Sequence, residues 1–110
     1  MSEITLKFIF FGLILSGTIF EVMGDVFFKK WILADKNILL YVGLFAYLIG
    51  TVFWAFSLRF ESLSKSISIF TVLNLIIIVL VGVFFFRENL SMLNKIGIIL
   101  GIISVLFLEI

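Results

Sequence analysis

The chain has 110 residues, 64% of them hydrophobic and 14% charged, with a mean hydropathy of +1.38. A soluble domain is ordinarily about 45–50% apolar and about 25% charged, and so small a globule has too little interior to hide the excess, which excludes a soluble enzyme, a disordered chain and a nucleic-acid binder. The net charge of +1 offers no field for a polyanion, and the absence of Cys and His removes disulfides, thiol nucleophiles and the usual zinc ligands.

Clusters of charge cut the chain into four apolar stretches, near residues 8–28, 38–58, 66–86 and 92–108, read as one domain over 1–110. The first three hold about 21 residues each, enough at 1.5 Å per residue to cross about 30 Å of hydrocarbon. The fourth is shorter, and its Lys95 is expected to snorkel to the interface. Backbone in lipid must satisfy its own hydrogen bonds, and no stretch alternates apolar with polar, so the spans read as helices rather than barrel strands. The predicted fold is all-α, with four transmembrane helices. Short connections near 29–37, 59–65 and 87–91 favour antiparallel neighbours. The first stretch carries two acids and is too long for a signal-peptide core, so it is expected to be retained. Trp31 and Tyr41 stand where interfacial aromatics belong. Lys29, Lys30, Lys36, Arg87 and Lys95 fall on one side of the membrane, and Lys7, Arg59 and Lys65 on the other. That bias favours loops one and three inside and both termini outside, and it is small enough to leave insertion in both orientations open.

Within the first stretch, Glu21 stands eight residues before Lys29. That is about 12 Å along a helix, near the middle of the bilayer. A charge there costs about 2.5–3.5 kcal/mol on insertion scales, so such residues usually face a bundle interior or a wet cavity. Asp25 follows at i+4 and Lys29 at i+4 again, with Gly17 and Gly24 on the same stripe. A carboxyl group deprived of water holds its proton more firmly. Glu21 therefore reads as an acid that exchanges a proton for a cation, with Asp25 titrating beside it. The plainer alternatives are a Glu21 that only locks helices together and an Asp25 that pairs with Lys29.

The third stretch places Ser64, Ser68 and Thr71 at i, i+4 and i+7, with Asn74 on a flank. This stripe reads either as interhelical hydrogen bonding, worth about 0.6 kcal/mol per contact, or as the polar wall of a substrate cavity opposite Glu21. In the fourth, Gly97 and Gly101 with Ser104 one turn on suit close helix crossing, and in its sharper form a dimer interface. Four helices enclose a hydrated cavity around one acid poorly, whereas two copies supply eight helices and bring two copies of Glu21 together. A homodimer is expected.

The length, the four stretches and Gly17-Thr18-Ile19-Phe20-Glu21-Val22-Met23-Gly24 resemble the small multidrug resistance transporters, whose first helix carries one essential Glu in an E-V-x-G setting. Lys29 falls at that family's Lys, eight residues beyond the Glu. The layout is similar over the whole chain, while the specific motif is confined to the first helix and the Gly97 region. The resemblance implies a four-helix bundle that works as a dimer. It implies that Glu21 binds both protons and substrate, with Ile14, Gly17, Thr18, Gly24 and Asp25 around it and Gly97 and Ser104 in a dimerising fourth helix. It also implies a multi-pass protein of the prokaryotic inner (plasma) membrane. No cofactor or metal is implied beyond the proton as coupling ion, and the partners would be the lipid bilayer, a small-molecule substrate and a second copy.

The family's third helix reads roughly P-x-G-x-A-Y-A-x-W-x-G-x-G. Here Ile67 stands for the Tyr, Phe70 for the Trp, and Val72 and Asn74 for the glycines where that helix bends. Gly24 stands where the guanidinium-exporting branch has Trp, which disfavours that substrate. The middle of the chain is similar to the wider drug/metabolite transporter superfamily. Trp54, Leu58, Ser62-Leu63-Ser64, Leu73-Asn74 and Glu88 have the spacing of the four-helix subunits of aminoarabinose-lipid flippases, which generally lack the Glu of the first helix. The expected function is proton-coupled export of a small cationic or hydrophobic amine. The alternatives are a flippase subunit for a lipid-linked sugar or amine, and a non-transporting membrane assembly protein.

Overall fold

The structure, a computed structural model, describes residues 2–109 and contains four helices and, among those residues, no strand. They are α1 (Glu3–Ala34), α2 (Asn37–Ser57), α3 (Leu63–Phe85) and α4 (Met92–Glu109). The all-helical expectation holds, and α1 through α3 are long and apolar enough to cross a membrane, while α4 is apolar and shorter.

Helix α1 differs most from expectation. It begins at Glu3 because the Ser2 side chain accepts from the Thr5 N–H at 3.2 Å, satisfying one of the free donors of the first turn. It continues through Lys29 and Lys30 to Ala34, since charged residues end the membrane layer without ending a helix. Asp35 stops it in the left-handed region at φ 55°, with its N–H on the Trp31 carbonyl at 2.8 Å. The first connection is therefore Asp35-Lys36 rather than 29–37, and Trp31 reaches across it to the Asn37 side chain at 3.4 Å. Ser62 caps α3 through the Lys65 N–H at 3.4 Å, which starts that helix three residues before the apolar run at Ser66.

Packing runs α2 against α1, α1 against α3, and α3 against α4, in a body measuring 48 × 34 × 18 Å. The α1–α2 seam is made of small residues. A Cβ added to Gly17 would stand 3.1 Å from the Gly50 carbonyl oxygen, and one on Gly43 would stand 3.2 Å from that of Gly24. The two backbones thus approach each other without side chains between them, the geometry that small residues permit in lipid. Between α1 and α3 the contact is large and apolar: Phe10 and Ile14 pack on Ile69 and Phe70, with Trp54, Leu73 and Val105 around them. The Trp54 and Phe70 rings lie 4.9 Å apart, a tilted aromatic pair. Phe45, Leu48, Phe84 and Leu100 point outward. So broad an apolar exterior would be a liability in water and is the ordinary surface in lipid.

Candidate functional site

The α1–α2 seam carries the acids. Glu21 is half-buried in the middle of α1, and its side chain leaves the helix directly over α2. A Cβ on Gly50 would lie 2.9 Å from Glu21 Cγ and 3.3 Å from its backbone nitrogen. Ile14, Gly17, Thr18 and Gly24 are all buried along the same helix. Thr18 is fully enclosed, and its hydroxyl donates back to the Ile14 carbonyl at 2.8 Å, which leaves it a wall of the seam rather than a free donor.

Asp25 is also half-buried, one turn further on. Its carboxylate accepts a hydrogen bond from the hydroxyl of Tyr47 on α2, and Lys29 lines a neighbouring cavity with it. The Tyr47 ring fits because Gly24 has no side chain: a Cβ there would collide with the ring, lying 2.7 Å from Cε2. Gly24, Tyr47 and Asp25 are thus one unit, with the glycine admitting the ring and the ring delivering its hydroxyl. Phe28 tilts against the same ring at 5.2 Å and closes the seam toward the end of α1.

The polar stripe of α3 does not meet Glu21 within the chain. The side of α3 that is buried carries Ser66, Ile69 and Phe70, and it is Phe70 whose ring lies 3.4 Å from a Cβ on Gly17. Ser64 and Thr71 are exposed on another face, and Ser68 returns its hydroxyl to the Ser64 carbonyl at 2.8 Å. Periodicity groups these three correctly on one face, and packing turns that face away from α1. Asn74 is half-buried, and its Oδ1 is enclosed with no hydrogen-bond partner among the described residues. On α4, Gly97 and Ser104 are exposed; Gly97 has nothing within 4 Å of a Cβ, and Gly101 meets only the Leu75 side chain at 3.8 Å.

Several participants are absent from the sequence reading. Gly43, Ala46 and Gly50 are the buried face of α2, and their spacing mirrors that of Gly17, Glu21 and Gly24 on α1. That mirrored spacing of small residues was the available signal. Tyr47, a phenol well inside the second apolar stretch, was the other. Ser57 and Ser66 are fully buried; Ser57 donates to the Trp54 carbonyl at 2.6 Å, while Ser66 Oγ has no partner among the described residues.

Cavities lie toward both ends of α1. One of about 330 Å³ is bounded by Lys7, Phe10, Phe60 and Glu61, and one of about 140 Å³ by Asp25, Lys29 and Glu88. Glu21 falls between them along α1. Among the described residues no cluster of three or more His, Cys, Asp or Glu is placed to hold a metal ion.

An acid held in the seam of an apolar helical bundle, between two cavities, is an arrangement suited to moving a solute. The model of the EamA-like transporter family matches residues 2–110. No curated protein and no solved structure matches the chain. The chain belongs to the EamA-like transporter family, and is thereby a membrane transporter of the drug/metabolite type rather than an enzyme.

Proposed function

We propose that the protein is a proton-coupled exporter of small cationic or hydrophobic amines, of the small multidrug resistance kind, working as a homodimer in a prokaryotic inner membrane. The observation that carries this reading is Glu21: a half-buried acid in mid-helix, set over the bare backbone of Gly50. A carboxylate in such a place is costly unless a proton or a cation neutralises it. Competition between the two for one acid couples their movements, because both cannot be bound favourably at once.

The Asp25–Tyr47 bond supports a division of labour between the acids. Asp25 already has a donor, so Glu21 is the one left to exchange ligands. Gly97 and Ser104 on the open face of α4 would meet a second copy, and two half-bundles rocking about the paired Glu21 residues would give alternating access. Oppositely inserted copies would supply the inverted repeat that this motion uses.

Reconstitution into liposomes tests the proposal. With an outward proton gradient imposed, uptake of a labelled alkylammonium should follow the gradient, and Glu21→Gln should abolish it. Uptake that survives Glu21→Gln excludes Glu21 as the coupling acid. Wild-type protein that moves a lipid-linked amine but no free cation would select the flippase alternative instead.

A further inference from the structure

The smaller cavity, of about 140 Å³, lies between α1 and the end of α3 and draws charged groups from both: Asp25 and Lys29 from α1, and Glu88 from the turn beyond α3. Glu88 reaches it because the chain reverses after Phe86. Arg87 takes a left-handed φ of 54°, and the Glu88 N–H returns to the Gly82 carbonyl at 3.0 Å. The carboxylate then folds back over Gly82, with Oε1 only 3.0 Å from where a Cβ would be. Gly82 is thus the residue that leaves room for Glu88 to face the cavity, in a stretch of α3 from Leu75 to Phe85 otherwise built of branched and aromatic residues.

We propose that this cavity is a second binding site, one turn toward the loops from Glu21, and that it takes a small protonated alkylamine. The charges favour a cation. Asp25 and Glu88 against the single Lys29 give the lining a net negative charge, and Lys29 and Glu88 are exposed, so a cation can reach it from outside. The walls favour an alkyl group: Val26, Ile78, Val81 and Phe86 complete the lining, and the Phe86 ring adds an aromatic face for an ammonium. A bare metal ion is a poor fit, because calcium needs six to eight oxygen ligands and magnesium near-ideal octahedral geometry. Asp25 belongs to both places, accepting from Tyr47 in the α1–α2 seam and lining the α1–α3 cavity. The identity of the ligand rests on the amine exchange proposed for Glu21, whereas the site itself does not.

The experiment is binding of n-butylammonium to the full chain in detergent, by calorimetry, in a Glu21→Gln background. Binding should persist there, and adding Glu88→Gln should weaken it about tenfold or more, the loss of one charge-assisted contact. Gly82→Ala, which keeps every charge but displaces the Glu88 carboxylate, should weaken it too, while Gly12→Ala, with nothing within 4 Å of its Cβ, should leave it unchanged. No binding in Glu21→Gln protein, or binding indifferent to both Glu88→Gln and Gly82→Ala, overturns the proposal. Liposome uptake fails or succeeds separately: if wild type moves no amine while Glu88-dependent binding stands, the exporter reading falls and this site remains.

Discussion

The Tyr47 hydroxyl on α2 donates to the Asp25 carboxylate on α1, so a polar contact ties the two helices close to where their glycine backbones meet. Hydrogen bonds between membrane helices contribute about 0.6 kcal/mol on average and up to about 1.7. Tyr47→Phe should lower stability within that range, measured by unfolding in mixed detergent micelles. Asp25→Asn keeps a side-chain oxygen to accept the hydroxyl and should cost less. Equal losses from the two would show that the charge of Asp25, not its hydrogen bond, secures the seam.

The same seam makes a steric prediction. A Cβ at Gly50 would lie 2.9 Å from Glu21 Cγ and 3.0 Å from the Gly17 carbonyl oxygen, and backbone cannot step aside as a side chain does. Gly50→Ala should therefore cost about 1–3 kcal/mol through overpacking and should disturb Glu21 directly. Gly12→Ala, where the space is open, should be neutral or stabilising by up to about 1 kcal/mol through helix propensity. Similar thermal midpoints for the two variants would contradict close packing at Gly50.

The sequence made the four helices legible because span length and apolar runs are set by the bilayer, and it made Glu21 legible because a mid-span acid is costly wherever it lies. It was less informative about ends and facings. Lys29 and Lys30 mark the edge of hydrocarbon, yet α1 runs on to Ala34, where the left-handed Asp35 stops it. Ser64, Ser68 and Thr71 share a face by periodicity alone, but which neighbour that face meets depends on how α3 is rotated against α1, and the bulk of Ile69 and Phe70 decides that. Tyr47 acquires meaning only once Gly24 is seen to admit its ring.

Competition at one acid fixes the sign of the pH response. Lowering pH on the loading side supplies protons that displace the amine, so apparent amine affinity should fall by about a decade per pH unit where the proton dominates. Glu21→Asp should move the midpoint of that profile, and Asp25→Asn should move it less, because Asp25 is already engaged by Tyr47. A larger shift from Asp25→Asn would reverse the ranking of the two acids.

The open face of α4 separates folding from assembly. Gly97 is exposed with no atom near its Cβ position, so Gly97→Leu should leave the single chain folded and its unfolding midpoint unchanged. If two copies meet there, the bulk should shift the dimer toward monomer about tenfold or more, since close approach is what small residues provide. Single-molecule photobleaching in liposomes counts the copies directly. An unchanged dimer fraction would place the interface on another helix.

Proton release on ligand binding tests the central claim most directly. Alkylammonium added to weakly buffered, detergent-solubilised protein should acidify the solution as it displaces protons, and Glu21→Gln should remove that signal while Asp25→Asn retains most of it. Full proton release from Glu21→Gln protein would contradict the account.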